Sequence, residues 1–230
     1  MKGIIYLIPV PISENNSELV YPLLESTVNS LDEFIVEDLK TARRALRKTG
    51  YKGDFDKTTF HLLNEHTDLK TIDRFLASAE KGKNIGLMSD AGMPCIADPG
   101  CDIVRLAHKK GIKVVPLYGS SSIFLALAAS GLNGQNFCFH GYLPKEQANR
   151  KKKLKEIEKR EGTQIFIETP YRNNHLFEDV LSTCSSDTLF CVASDISGQS
   201  ERIITKSVAE WKRGEHPDLD KMPTVFLIGR

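Results

Sequence analysis

The sequence predicts an α/β protein, and two observations support this prediction. Short apolar runs rich in β-branched residues alternate with longer segments of helical period, the pattern of strands joined by crossover helices. Of the 230 residues, 40% are hydrophobic, which is enough to build substantial cores without disulfides or metals. Parallel strands covered by helices are therefore expected.

The first half of the chain contains nine expected elements. Strands are expected at Ile4–Ile8, Glu33–Val36, Ile85–Met88 and Lys113–Leu117. Helices are expected at Ser17–Asn29, Leu39–Lys48, Asp68–Lys81, Gly100–Lys110 and Ser121–Ser130.

A turn-rich stretch, Gly131–Gly134, separates these elements from the second half. Strands are expected there at Phe137–Phe139, Gln164–Ile167, Leu189–Ala193, Arg202–Thr205 and Val225–Ile228, and helices at Lys145–Lys159 and Asn173–Ser182. The chain is therefore predicted to form two α/β domains, residues 1–134 and 135–230.

Charge and cysteine content exclude several classes of protein. Lys and Arg total 31 against 30 Asp and Glu, so contact with nucleic acid or an anionic membrane would need a local patch. The five cysteines are scattered without a Cys-x-x-Cys pair, which argues against disulfides and zinc and favours a reducing compartment. The apolar stretch Ile4–Val10 is too short for a signal peptide or membrane span. A soluble cytoplasmic protein without a metal or a membrane partner is predicted.

The segment 85–100 has the pattern of a ligand-binding loop. A buried strand ends at Ser89, Asp90 follows, and small residues then allow the backbone to approach a ligand. Ligands bind at this edge of open parallel sheets. Asp98, followed by proline, has the pattern of a helix N-cap, which favours a structural role for it. Asp90 caps no obvious helix, which favours a binding role.

Small polar residues also follow the strand expected at Lys113–Leu117. Ser120, Ser121 and Ser122 come after a glycine and precede an apolar helix. Serines in this position can cap the helix, or they can offer hydroxyl and amide N–H groups to a carboxylate or an adenine edge. Both interpretations remain open.

The first strand is followed by Pro9 and Pro11 instead of glycines, and no Gly-x-Gly-x-x-Gly follows any expected strand. The usual dinucleotide-binding fingerprint is therefore absent. This disfavours a Rossmann-type dehydrogenase or methyltransferase.

Taken together, these motifs resemble those of a known family. Ser89–Gly100 is similar to the Ser-Asp-Ala-Gly-Thr-Pro-x-Ile-Ser-Asp-Pro-Gly signature of the ribosomal RNA small subunit methyltransferase I family, a branch of the tetrapyrrole methylase superfamily. Other similar segments follow in the family's order over nearly the whole chain: Pro9–Ile12, Glu37–Asp38 with Arg43 and Arg44, His61 with Asn64–Glu65, Gly141–Pro144, Glu168–Arg172 and Pro223–Leu227.

The resemblance implies a tetrapyrrole-methylase fold of two α/β domains, a homodimer, and S-adenosylmethionine as cofactor in the cleft between the domains. It implies no metal. Carried over residue by residue, the cofactor-binding residues are Pro11, Ser89, Asp90, Ala91, Gly92, Met93, Ile96, Ser120, Ser121, Ser122, Leu143, Glu168, Pro223 and Thr224.

Methyl transfer from a sulfonium is an in-line displacement in which alignment of the reactants supplies most of the rate. A ribose hydroxyl is a poor nucleophile at neutral pH, so a nearby base or cation helps. The residues predicted for this catalytic role combine bases and cations in family-like motifs: Glu37, Asp38, Arg43, His61 and Glu65. For Glu37 and Arg43, an ion pair is an equal alternative.

The basic run Arg150–Lys155 lies in a helical pattern whose buried side is Leu154 and Ile157. Most such runs are solvated helix faces. The alternative is contact with RNA phosphates, which positions an RNA without reading its sequence.

Three departures from the family pattern bear on the substrate. Gly119–Ser122 is closer to the Gly-x-Ser-Ser pattern of porphyrinoid methylases, Ser194-Asp195 replaces an Arg-Glu pair, and the sequence ends at Arg230 without the C-terminal helical segment of many of these enzymes. The leading hypothesis is an enzyme that 2′-O-methylates a cytidine of small-subunit ribosomal RNA, with that RNA or the small ribosomal subunit as partner. The alternatives are methylation of a corrin or porphyrin precursor, and a paralogue that binds S-adenosylmethionine without catalysis.

Overall fold

A computed structural model describes residues 1–13, 21–64, 67–68 and 71–230. The chain divides into two compact units, Met1–Ser121 and Ser122–Arg230. The boundary expected at residue 134 would place the helix Ser122–Ser130 in the first domain, whereas this helix belongs to the second unit.

The first unit contains a five-stranded parallel sheet. Its strands are β1 (Ile4–Ile8), β2 (Glu33–Val36), β3 (Thr59–Leu62), β4 (Ile85–Met88) and β5 (Lys113–Pro116). They pair in the order β3-β2-β4-β1-β5. Every residue of β2 and β4 is buried, as expected for strands covered on both faces. The predictions of β1, β2 and β4 are confirmed residue for residue, whereas β3 was not predicted.

Helices cover both faces of this sheet. The first unit contains α1 (Pro22–Asn29), α2 (Leu39–Lys48), α3 (Ile72–Phe75), α4 (Ala77–Glu80) and α5 (Cys101–Lys109). Alternate residues of β2 enter different apolar clusters, Phe34 and Val36 one and Ile35 the other, so each face has its own core. Residues 17–20 and 69–70 of the two expected helices at 17–29 and 68–81 lie outside the described residues.

The second unit contains a mixed five-stranded sheet. Its strands are β6 (Phe137–Tyr142), β7 (Thr163–Ile167), β8 (Leu189–Ser194), β9 (Arg202–Ser207) and β10 (Thr224–Gly229). Their order is β6-β7-β10-β8-β9, in which only β6 and β7 are parallel. The helices are α6 (Ser122–Ser130), α7 (Gln147–Glu158), α8 (Asn173–Thr183) and α9 (Val208–Arg213), with a short 3-10 helix at Pro170–Arg172. The α/β prediction is confirmed for both units.

The core of the second unit is aromatic. The ring of Phe226 stacks on those of Phe166 and Phe190, with centroids 6.0 Å apart in each pair. Trp211 is buried, and its indole N–H donates to the Phe190 carbonyl oxygen at 2.8 Å. Among the described helices of the chain, none is long and apolar enough to cross a membrane.

The basic run on α7 is only partly a solvated face. Leu154 and Ile157 are fully buried, as predicted. Arg150 is also buried, however, and its guanidinium contacts the buried Asp179 carboxylate at 2.6 and 2.7 Å. Lys151 lies 3.4 Å from the same carboxylate. The run is therefore partly neutralised by its own fold, and its contact with RNA stays a prediction.

Candidate active site

The segments that follow β1, β4 and β5 contact one another at the carboxyl edge of the first sheet. Val10 and Gly92 exchange two backbone hydrogen bonds of 2.8 Å, which join the segment after β1 to the loop after β4. A Cβ atom at Gly119 would lie 2.0 Å from the Cβ of Pro9, so only glycine fits there. This edge is where a parallel sheet binds its ligands.

Three carboxyl groups lie at this edge: those of Glu37, Asp90 and Asp98. The Glu37 carboxylate accepts a hydrogen bond from the Asp90 backbone N–H, and the Asp90 carboxylate accepts one from the Asp38 backbone N–H. Burial raises the pKa of all three carboxyls, and repulsion by Asp90 raises the pKa of Glu37 and Asp98 further. Because their charged forms are disfavoured, these groups would gain from a bound cation.

The prediction that Asp98 caps a helix is wrong. α5 begins at Cys101 after Gly100, which has a φ of 130°, and no side chain caps it. Cys95 and Ala97 have φ values of 70° and 67°, an unfavourable conformation for residues other than glycine. The loop thereby turns the Asp98 carboxyl towards the Ser89 hydroxyl, from which it accepts a hydrogen bond. The Ser89 hydroxyl also lies 3.1 Å from the Ala91 carbonyl oxygen.

A cleft of about 140 Å³ opens beside these carboxyls. It is lined by Val10, Pro11, Ile12, Ser13, Thr41, Arg44, Ala45, Lys48, Asp90 and Ala91. Pro11, Asp90 and Ala91 were among the predicted site residues. Arg44 and Lys48 were not, although their spacing from Thr41 by three and seven residues places all three on one face of α2.

The residues predicted for the acceptor side do not all converge. Glu37 is one of the three residues whose carboxyls lie together at the sheet edge. Asp38 instead caps α2, where it accepts a hydrogen bond from the Thr41 backbone N–H at 2.8 Å. Nε2 of His61 lies 2.8 Å from the Glu33 carboxylate. Glu33 opens β2 whereas Glu37 follows it, which separates the two residues by about 13 Å along the strand.

Two other residues of that set have different positions. Arg43 lies over the rings of Phe55 and Phe60, 5.5 and 5.6 Å from their centroids. Glu65 lies outside the described residues. The catalytic roles of the whole set stay predictions.

The remaining cofactor residues predicted near the first sheet occupy its loops. Met93 is half-buried, and Ile96 is 44% exposed. Ser120 and Ser121 are half-buried after β5, and Ser122 is the first residue of α6, which belongs to the second unit.

In the second unit, four predicted cofactor residues lie where β6 and β7 end and β10 begins. Glu168 is buried and paired with Arg172, but Oε2 of its carboxylate has no hydrogen-bond partner in the described structure. Thr224 is buried, whereas Pro223 is exposed. The Leu143 side chain belongs to the hydrophobic core, which leaves only its backbone for a ligand.

Asn173 was missed by the sequence-based predictions. It is fully buried, and its Nδ2 donates to the Met222 carbonyl oxygen at 2.6 Å. Its Oδ1, like Nε of Arg172 and Oε2 of Glu168, lacks a hydrogen-bond partner in the described structure. Buried unpaired polar atoms are rare and mark places for a ligand or water. The Asn that follows the Glu-Thr-Pro-Tyr-Arg motif was the only sequence signal for this residue.

The family model for Tetrapyrrole (Corrin/Porphyrin) Methylases matches residues 18–212 of the chain. The chain belongs to the tetrapyrrole methylase family. It is an S-adenosylmethionine-dependent methyltransferase, which confirms the enzyme class predicted from the sequence.

Curated relatives of this tetrapyrrole methylase carry one name. Ribosomal RNA small subunit methyltransferase I of Haemophilus influenzae is 32% identical over 231 residues, which cover 99% of this chain and 79% of that protein. The protein of that name from Escherichia coli O157:H7 is 32% identical over 91% of this chain and 71% of its own length. The one from Bacillus subtilis (strain 168) is 32% identical over 90% of this chain and 68% of its own length. The resemblance inferred from the motifs is confirmed.

Solved structures of tetrapyrrole methylases share the fold. The methyltransferase CobJ has a TM-score of 0.65 at 16% identity, with 100% of this chain and 95% of that chain covered. The cobalt precorrin-4 methyltransferase CbiF has a TM-score of 0.62 at 13% identity, with 98% and 94% covered. At these identities the likeness shows the fold alone, and it confirms the predicted fold of two α/β units.

Proposed function

We propose that this tetrapyrrole methylase 2′-O-methylates a cytidine ribose of small-subunit ribosomal RNA, as a cytoplasmic homodimer. The observation that carries the proposal is the 32% identity, over 99% of the chain, to a protein named ribosomal RNA small subunit methyltransferase I. The 2′ oxygen, the cytidine, the dimer and the compartment come from the motif resemblance.

S-adenosylmethionine, when bound, supplies a methyl group carried by a positively charged sulfonium. The carboxyls of Asp90 and Asp98 fit such a cation, because burial and repulsion by neighbouring carboxylates raise the pKa of each and a positive neighbour would relieve both effects. The backbone pairing of Val10 with Gly92 holds the loop that carries Asp90. We assign the donor-binding role in the first unit to these residues.

Glu37 is the residue that the structure favours as the base. It is half-buried, and the raised pKa of its carboxyl makes it a better proton acceptor than an ordinary glutamate. In the proposed reaction this carboxylate would take the proton of the ribose 2′-hydroxyl as its oxygen bonds to the methyl carbon. The bond between that carbon and the donor sulfur would break, and its electron pair would stay on the sulfur as S-adenosylhomocysteine leaves. The hydrogen bond from the Asp90 N–H fixes the position of the carboxylate.

A tetrapyrrole precursor is the second candidate acceptor. The observation in its favour is the Gly119–Ser122 segment, which is closer to the porphyrinoid methylase pattern than to the ribosomal RNA one. This alternative uses the same donor residues and differs only in the acceptor.

Transfer of radiolabelled methyl groups to small ribosomal subunits from a strain that lacks this gene, followed by nucleoside analysis, tests the proposal. We expect labelled 2′-O-methylcytidine with the wild type and at least a hundredfold slower transfer with Glu37→Gln, since general bases contribute roughly 10²–10⁴-fold. Binding of S-adenosylmethionine without transfer to RNA would contradict the proposal. It would leave a small-molecule acceptor or a non-catalytic paralogue.

The affinity for S-adenosylmethionine is expected to fall as the pH falls. A bound cation lowers the pKa of the Asp90 and Asp98 carboxyls, which is raised in the free protein, so binding releases protons. Affinity therefore rises with pH through the raised pKa values of the free protein and is constant above them. Calorimetric titrations from about pH 4.5 to pH 8, a range that begins just above the ordinary carboxyl pKa values and covers raised ones, measure this. Asp90→Asn should show a smaller pH dependence, and a flat profile in the wild type would contradict the prediction.

A further inference from the structure

α2 is a local concentration of positive charge. Its cations are Lys40, Arg43, Arg44, Arg47 and Lys48, and its sequence contains no acid. The chain as a whole is nearly neutral, with a net charge of +1. The helix α7 also carries five cations, but it includes two glutamates and pairs Arg150 with a buried aspartate. Only a local field of this kind can attract a polyanion to a neutral protein.

Two of these arginines lie on a layer of aromatic rings. The Arg47 guanidinium carbon is 4.0 Å from the centroid of Phe55 and 5.8 Å from that of Tyr51. Arg43 lies 5.5 Å from the same Phe55 ring and 5.6 Å from that of Phe60. The rings also contact one another, with Tyr51 stacked on Phe55 at 5.7 Å. One aromatic layer therefore supports both guanidinium groups.

Most of the hydrogen-bond donors on these two groups are unused. Arg47 donates from Nη1 to the Tyr51 carbonyl oxygen at 2.6 Å, and Nε of Arg43 is buried without a hydrogen-bond partner in the described part of the chain. Within residues 1–13, 21–64, 67–68 and 71–230, neither arginine forms an ion pair with a carboxylate. A guanidinium has five N–H donors in one plane, so each group retains several.

This arrangement suits phosphate groups. A ring under a guanidinium limits its rotamers and covers its face, while the edge keeps the fork of donors that matches a phosphate. Arg43 and Arg47 are also four residues apart, where like charges repel in a helix unless an anion lies between them. S-adenosylmethionine has no phosphate group, so binding of the methyl donor does not account for these two arginines.

We propose that Arg43 and Arg47, supported by Tyr51, Phe55 and Phe60, bind consecutive phosphates of the acceptor RNA. The inference rests on the proposed function and names the surface through which the first unit holds its substrate. These contacts position the RNA without reading its sequence. Their strength therefore depends on salt and not on the methylated nucleotide.

Binding of the full-length protein to small ribosomal subunits, measured at several salt concentrations with S-adenosylmethionine present, tests the proposal. Arg47→Gln is expected to weaken binding about tenfold and to reduce the slope of log Kd against log salt by about one. Arg47→Lys keeps the charge but not the planar fork, so it should retain the slope and recover only part of the affinity. The matched control is Lys212→Gln, an exposed cation on α9 in the second unit, which should change neither quantity.

The affinity for S-adenosylmethionine and the unfolding temperature of each variant separate this role from a structural one. If Arg47 only covers the aromatic rings, Arg47→Gln will lower the unfolding temperature and leave the salt slope unchanged, which would overturn the proposal. Wild-type methylation of RNA with an unchanged slope in Arg47→Gln would overturn this inference alone. If the wild type neither binds nor methylates RNA, the proposed function fails and this inference fails with it.

Discussion

Asp90→Asn is expected to weaken S-adenosylmethionine binding by about 10- to 100-fold and to leave the fold intact. The change removes a negative charge from the edge of the first sheet, where a hydrogen-bonded or paired charge contributes about 1.5–3 kcal/mol and each 1.4 kcal/mol is tenfold in affinity. The asparagine carbonyl oxygen can still accept the hydrogen bond from the Asp38 N–H. Calorimetric titration measures the affinity.

The stability of the same variant should change in the opposite direction. The pKa of Asp90 is raised in the folded protein, so its ionised form costs stability above that pKa and the cost disappears on substitution. Because Asp90 is only partly buried and largely in contact with solvent, the gain in unfolding free energy at neutral pH is at most about 1 kcal/mol. The matched control is Asp102→Asn, whose carboxylate pairs with Arg105 on α5. Unchanged cofactor affinity in Asp90→Asn would remove this residue from the site.

Asp179→Ala is expected to lower the free energy of unfolding by about 3–5 kcal/mol, because it leaves the buried guanidinium of Arg150 without its counter-ion. Asp179 also accepts a hydrogen bond from Gln147 at 2.8 Å, so a second contact between α7 and α8 is lost. Chemical denaturation monitored by circular dichroism measures the loss.

Two further variants test that interpretation. Glu156→Gln removes an exposed acid on α7 that pairs with Lys153 and Arg160, and should leave the unfolding free energy nearly unchanged, since solvent-exposed ion pairs contribute little. The double variant Arg150→Met, Asp179→Leu should recover most of the lost stability, since apolar residues of similar size often replace a buried ion pair at little cost. A loss below about 1 kcal/mol in Asp179→Ala would show that Arg150 reaches water or another acceptor.

The elements whose first and last residues were predicted correctly are those with a clear pattern in their own sequence. β4 is a continuous apolar run and β2 is one after its first residue, Glu33, which matches their full burial. α2 has an acid at its N-cap and small or apolar residues on one face. β3 was missed because an edge strand with exposed Thr59 and Leu62 has little hydrophobic pattern, and its pairing with β2 is a tertiary contact. α9 could have been found, since Ser207 and Glu210 form a capping box that is visible in the sequence.

The site was less predictable than the fold, because its geometry depends on loop conformation. The position of Asp90 followed from the rule that ligands bind at strand ends. The position of Asp98 did not, since left-handed backbone at Cys95 and Ala97 reverses the direction of the loop. His61 lies in a family-like motif, but the direction of its side chain towards Glu33 is decided by sheet packing.

The place of β10 in the second sheet affects how the protein is made. Both neighbours of β10, β7 and β8, are synthesised before it, so the sheet lacks its central strand while the chain is still growing. During that interval the β6–β7 pair and the β8–β9 hairpin each present an open edge of unpaired backbone groups, which can recruit strands of other chains. Insertion of β10 closes both edges and brings Phe226 between Phe166 and Phe190 in a single step. A change that slows the insertion of β10 would therefore prolong the period in which partly folded chains can aggregate.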